Sequence, residues 1–310
     1  MRSTKPSSEI HSLIQRYLNH LSLERRYSDN TVLAVRRDLL CIDVPLLQAN
    51  TAQLKTTLGK RHAAGAAPRS LARMASSWRG FYAYLVQEGL LAVNPAESLK
   101  TPKLPKALPK AVGVDLLAAL LDGPEPPDLR MKQAKVLIEL LYSTGLRISE
   151  ALSLALDTPS DTPNARSSLL SISTREIRVF GKGGKIRVVP LIDSVVESLK
   201  SFLLVRQAHL LSLEGAKQSA LFVSATGKRL SPRQAQLDVS AFAKHRGLGQ
   251  HLHPHMLRHS FGSHVLQSTQ NLRAVQELLG HASLSSTQVY TALDFSHLSS
   301  VYDKAFPRAK

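Results

Sequence analysis

Residues 101–112 read TPKLPKALPKAV, with three prolines and three lysines. Proline removes a backbone donor and favours extended conformations, so no packed helix is expected there. The patterns on both sides are helical. The stretch therefore reads as a basic linker dividing the 310-residue chain into residues 1–100 and 113–310, each long enough for its own core.

Upstream of the linker, SSEIHSLIQRYLNHLSLE (7–24) spaces Ile10, Leu13, Ile14, Tyr17, Leu18 and Leu21 as one helical face. YSDNTVLAVRRDLL (27–40) starts a second helix after the capping candidates Ser28, Asp29 and Asn30. APRSLARMASSWRGFYAYLVQEGL (67–90) is a longer helix that turns Leu71, Met74, Trp78, Phe81, Tyr82 and Leu85 inward. These segments predict a small helical bundle.

Downstream, KQAKVLIELLYSTGLRISEALSLAL (132–156) is an apolar helix, a Thr-Gly turn and a second helix opening at Arg147. LLSIS, EIRVF and KIRVVPL alternate like strands: Ile177 and Val179 lie opposite Arg178, and Ile186 and Val188 opposite Arg187. Gly181-Lys182-Gly183-Gly184 forms the hairpin between the last two. SPRQAQLDVSAFAKH (231–245) carries Ser231 as N-cap, Pro232 at the first helical position and Gln234 to complete a capping box. The second domain thus reads as mostly helical with a small antiparallel sheet, interrupted by a polar loop, DTPSDTPNARSS (157–168).

The formal net charge is +17, with a pI near 10.2. Such a charge points to a polyanionic partner, because each neutralised phosphate releases condensed counterions, and nucleic acid is the first candidate. Arg36 and Arg37 on the second helix and Arg69, Arg73 and Arg79 on the later one fall off the apolar faces with few acids beside them. They read as phosphate contacts, with Lys103 and Lys106 of the linker. Asn30 and Thr31, at a helix start, are further candidates that capping alone would also explain. The basic, polar N-terminus and the lack of any long apolar run predict neither secretion nor a membrane span, and a cytoplasmic, nucleoid-associated protein is expected. Cys41 is the only cysteine, which excludes an internal disulfide and a Cys-rich zinc ribbon.

HLHPHMLRHSFGSH (251–264) places five histidines around Arg258. His255 and His259 have the spacing of a zinc-binding pair, but Met256 stands where a zinc protease has its Glu, Arg258 would repel a divalent ion, and no nearby carboxylate pair or cysteine offers a third ligand. No metal or other cofactor is expected. Phosphate suits the stretch better. His255 and Arg258 share a helical face near a helix start, where backbone N–H groups favour an anion; His255 can exchange a proton, and the Arg258 fork matches two phosphate oxygens.

Three further fragments strengthen this reading. STGLRISE sets Arg147 in apolar surroundings that call for a carboxylate such as Glu150. FGKGGK offers Lys182 at a hairpin tip; it lacks the P-loop pattern and leads into a strand. LLGHASLSSTQVY supplies His281 and Tyr290.

In this order, Arg147, Lys182, His255, Arg258, His281 and Tyr290 resemble the catalytic set of the tyrosine recombinase (phage integrase) family. The run NLRAVQELLGHASLSSTQVYTALDFSHLSSVYDKAFPRAK (271–310) is similar to the XerC branch of its Xer subfamily. The resemblance covers nearly the whole chain. It implies a mainly α, two-domain tyrosine recombinase fold: a helical SAM-like core DNA-binding bundle over 1–100, the Pro/Lys linker 101–112, and an α+β catalytic domain over 113–310 whose C-terminal tail docks on another protomer.

The implied chemistry is cleavage of DNA by Tyr290 to a 3′-phosphotyrosyl link. Arg147 and Arg258 clamp the phosphate, His255 accepts the tyrosine proton, Lys182 protonates the leaving 5′ oxygen and His281 bonds the same phosphate. The implied partners are double-stranded DNA, a related XerD-like recombinase in a heterotetramer on two DNA sites, and a DNA-translocase regulator. The implied task is resolution of chromosome or plasmid dimers at a dif-type site. Two other readings stay open. One is a mobile-element integrase using the same residues, against which the lack of an arm-binding segment before residue 8 argues; the other is a DNA-binding architectural protein that does not cut. The chain departs from the family in its longer loop 157–168, in Gly262 where alanine is usual, and in Thr291-Ala292 for Thr-His.

Overall fold

The computed structural model describes residues 6–101, 111–126, 128–156, 168–181, 186–213, 218–249 and 251–270. Two compact units are present, Met1–Ala107 and Leu108–Lys310.

The first unit contains α1 (Pro6–Asn19), α2 (Asp29–Leu39), α3 (Thr51–Ala63) and α4 (Pro68–Gln87), with a π-helical turn at His20–Glu24. Helix α4 follows its apolar spacing: all six residues assigned inward, Leu71, Met74, Trp78, Phe81, Tyr82 and Leu85, are buried. On α1 and the following turn, Ile14, Tyr17, Leu18 and Leu21 close the same core, while Leu13 is partly buried against it. Each large side chain taken from water in this way contributes about 1.5–3 kcal/mol before entropy is subtracted. Helix α2 begins with Ser28, whose side chain accepts the Thr31 N–H, so Asp29 and Asn30 are inside the helix rather than capping it. Helix α3 starts at a full capping box between Asn50 and Gln53 and contributes few core residues, chiefly Leu54 and Leu58.

A buried carboxylate fastens α2 to α4. Asp38 accepts hydrogen bonds on one oxygen from Arg73 Nη1 (2.6 Å) and Ser77 Oγ (2.7 Å), while its backbone carbonyl accepts from Trp78 Nε1 at 2.8 Å.

The second unit is built on α6 (Leu129–Thr144), nearly every residue of which from Gln133 onward is buried. Around it lie α5 (Val114–Leu121), α7 (Ile148–Ser153), α8 (Asp193–Leu211), α9 (Pro232–His245) and α10 (Pro254–Thr269). Gly145 ends α6 in the left-handed conformation (φ 61°), where a glycine avoids the strain of a Cβ, and the chain re-enters a helix three residues later. At the start of α9, Ser231 accepts the Gln234 N–H as expected. The Gln234 side chain, however, donates to buried Asp238 at 2.8 Å, so the capping box is only half formed.

The sheet is mixed, a correction to the antiparallel sheet expected from the sequence. Its order is β1 (Ala155–Leu156), β2 (Leu169–Ser171), β3 (Glu176–Phe180) and β4 (Ile186–Pro190), with β1 parallel to β2 and the other pairs antiparallel. Strand β1, two residues long, is too short to show alternation in sequence.

Strand β3 keeps its predicted face, with Ile177 and Val179 buried and Arg178 exposed. Strand β4 does not keep the expected one. Ile186 is 53% exposed, and Val189 is buried on the face to which Arg187 turns.

Candidate active site and nucleic-acid interface

Arg147 is the N-cap residue of α7, immediately after the Gly145 turn, and Glu150 lies in the first turn of that helix. The Glu150 carboxylate accepts the Arg147 backbone N–H at 2.8 Å and its Nη1–H at 2.9 Å. From β4, Arg187 adds a two-pronged contact, Nη1 to Oε1 at 3.1 Å and Nη2 to Oε2 at 2.8 Å. The side chains of Glu150 and Arg187 are only 7% and 13% exposed, whereas that of Arg147 is 40% exposed. Burial raises the Glu150 pKa, but hydrogen bonds and charge from Arg187, together with the bonds from Arg147, outweigh it and hold the carboxyl at about 2.

Arg258 approaches from α10, where Nη1 donates to the Gly145 carbonyl. Burial, followed by the positive charge of Arg147, lowers its pKa to about 10, with Arg187 adding to the effect and Glu150 opposing it; Arg258 remains a cation at neutral pH. Three arginines thus share the field of one buried carboxylate, which leaves surplus positive charge. Such a site favours an anion with paired oxygens, and a phosphodiester fits that chemistry.

His255 is exposed in the first turn of α10, three residues before Arg258, as its spacing predicts. The other histidines of the cluster have separate environments. His264 Nδ1 meets the Tyr142 hydroxyl at 2.9 Å, and burial lowers its pKa. His251 and His253 stack at 6.2 Å between ring centroids, and His259 is exposed. Among the described residues, no group of three or more His, Cys, Asp or Glu is placed to hold a metal ion. Lys182, His281 and Tyr290 lie outside the described residues; the Phe180↔Ile186 pairing that precedes and follows the Lys182 hairpin is formed.

The basic residues assigned to DNA in the first unit fall into two groups. Arg36, Arg37 and Arg69 are exposed, as is Asn30. Arg73, also half exposed, is paired with Asp38, Arg79 Nη2 donates to the Leu99 carbonyl at 3.2 Å, and the exposed Thr31 bonds the hydroxyl of the N-cap Ser28 at 2.9 Å. Lys103 and Lys106 lie outside the described residues.

Arg187 is the residue that the sequence reading missed. Val188 and Val189 are both apolar, so alternation alone does not decide which face of β4 is inward; the buried carboxylate 37 positions earlier decides it.

Residues 111–297 match the phage integrase family, and residues 14–89 match the phage integrase N-terminal SAM-like domain. The chain belongs to the phage integrase family of tyrosine recombinases. As a tyrosine recombinase it is a site-specific DNA recombinase. Its relatives include tyrosine recombinase XerC of Pseudomonas putida strain W619, 43% identical over 308 residues and 96% of each chain. XerC of Chromobacterium violaceum is 45% identical over 303 residues, covering 96% of this chain and 95% of that one. Among solved structures, the recombinase resembles XerH bound to palindromic difH in a post-cleavage complex, with a TM-score of 0.62, 21% identity and coverage of 96% of this chain and 97% of that one. A lambda integrase fragment (75–356), as a dimer on a COC′ core site, gives a TM-score of 0.61 at 18% identity, covering 90% and 99%. Among the described residues of the recombinase, no helix is long and apolar enough to cross a membrane.

Proposed function

We propose that this recombinase acts as a XerC-like enzyme, exchanging DNA strands at a dif-type site and so resolving chromosome or plasmid dimers at cell division. The observation that carries the reading is the cluster of Arg147, Arg187 and Arg258 around buried Glu150, in a chain whose curated relatives are XerC recombinases. The working assembly is a heterotetramer with a XerD-like partner on two double-stranded sites, with a DNA translocase as its regulator. It works in the cytoplasm at the nucleoid. Residues 1–100 form the core DNA-binding domain, 101–112 the linker and 113–310 the catalytic domain.

The mechanism follows from the charge problem. A phosphodiester repels nucleophiles until cations lie on its non-bridging oxygens, and Arg147 and Arg258 fill that role. Tyr290 Oη attacks phosphorus, forming a P–O bond as the bond to the 5′ oxygen breaks. A phenol with a pKa of about 10 needs a proton acceptor, which is His255; the leaving oxygen takes a proton from Lys182, and His281 hydrogen-bonds the phosphate. The 3′-phosphotyrosyl ester conserves the energy of the bond broken, so the 5′ hydroxyl of another strand reverses the step onto a new partner without ATP. Arg36, Arg37, Arg69, Asn30 and the linker lysines Lys103 and Lys106 hold the DNA backbone.

The test incubates wild type and Tyr290→Phe with a nicked duplex carrying the candidate site, in EDTA and without ATP. A denaturant-resistant adduct is expected with wild type and absent in the variant. An adduct retained by Tyr290→Phe overturns the assignment of the nucleophile, and binding without any adduct, even with the partner recombinase added, overturns the enzymatic mechanism.

A further inference from the structure

We propose that Arg187 is a positioning residue for strand cleavage: it occupies both oxygens of Glu150 and so leaves most of the Arg147 donor fork for the scissile phosphate. The proposal rests on the reading above, in which Tyr290 cuts DNA.

The division of labour is visible in the contacts. Arg187 gives Glu150 both terminal nitrogens, whereas the Arg147 side chain gives only Nη1. Arg187 is 13% exposed and Arg147 is 40% exposed, so the first is enclosed and the second faces outward. Stability alone does not explain an arginine on the inward face of β4. Replacing a buried ion pair with packed apolar side chains is often neutral or stabilising, and the neighbouring inward position is a valine.

The charged groups facing Glu150 are Arg147 at the start of α7, Arg187 from β4 and Arg258 from α10. Without Arg187, the carboxylate loses its two-pronged partner and would close on the Arg147 fork, drawing it away from the phosphate. Its pKa would also rise, because burial would then oppose ionisation with less compensation. A protonated Glu150 no longer draws on the Arg147 fork, so the loss of rate should lessen as pH falls.

The test measures single-turnover adduct formation on a nicked duplex at saturating DNA for wild type, Arg187→Met, Arg187→Lys, Glu150→Gln and the Glu150→Gln/Arg187→Met double variant. Arg187→Met is expected to be slower by roughly 100-fold, the scale of a misplaced catalytic group, with DNA affinity nearly unchanged. Its rate relative to wild type should recover as pH is lowered toward the carboxylate range, where wild-type Glu150 is still ionised. Arg187→Lys should recover part of the rate. The double variant, measured against Glu150→Gln, should give a level ratio because nothing titrates at position 150.

A loss that follows the folded fraction alone, or a ratio with the same pH dependence in the single and double variants, overturns the proposal. So does an Arg187→Met variant as fast as wild type. Failure of wild type to form any adduct is a different result: it removes the functional reading, and this proposal with it.

Discussion

Asp38 and Glu150 are both buried carboxylates bonded to arginine, yet the two surroundings use the charge differently. In the N-terminal unit, Asp38 holds a single cation, Arg73, with Ser77 on the same oxygen, and the arrangement fastens α2 to α4. In the catalytic unit, Glu150 is bonded to Arg147 and Arg187, with Arg258 in its field. A carboxylate matched one to one neutralises its partner. A carboxylate outnumbered by cations supports them while leaving positive charge for an incoming phosphate.

The largest expected effect tests the outnumbered site. Arg147→Gln should slow adduct formation by about 10²–10³-fold, the scale for removing one preorganised donor, while urea melts change little because Glu150 keeps Arg187. A melt that falls in step with the rate would break the comparison. Next in size, Arg73→Met should cost about 2–3 kcal/mol in a urea melt, since Asp38 is left buried with a hydroxyl partner; this is less than for a fully buried pair because Arg73 is half exposed. Its adduct rate at saturating DNA should match wild type.

The smallest effect sharpens the contrast between engaged and exposed arginines. Arg36→Gln and Arg37→Gln should each weaken DNA binding alike across sequences and lower the slope of log affinity against log salt by about 1. Arg73→Met should leave that slope unchanged, and a drop as large as that of Arg37→Gln would show that Arg73 releases Asp38 to meet phosphate.

The parts of the fold legible in sequence are those where a single local pattern decides the outcome. The face of α4, the start of α9 at Ser231 and the alternation of β3 are of this kind. The pairing of Arg147 with Glu150 was also accessible, because an arginine after a Gly turn in apolar surroundings needs a nearby carboxylate. What was hidden depends on distant partners. Strand β1 exists through its pairing with β2, the Gln234 side chain is diverted by Asp238, and the inward turn of Arg187 is set by Glu150. The same applies to the arginines of α4. Position along the helix separates them from the core, but only the packed structure shows that Arg73 and Arg79 meet internal acceptors.

Trp78 is the only tryptophan in the chain, fully enclosed in the N-terminal core with its indole N–H on the Asp38 carbonyl. Its fluorescence is therefore a built-in reporter on that unit alone, whereas far-ultraviolet circular dichroism sums the helices of both. Denaturation followed by the two signals in parallel separates the stability of the first unit from that of the second without a label, and coincident curves would mean that the two units unfold together.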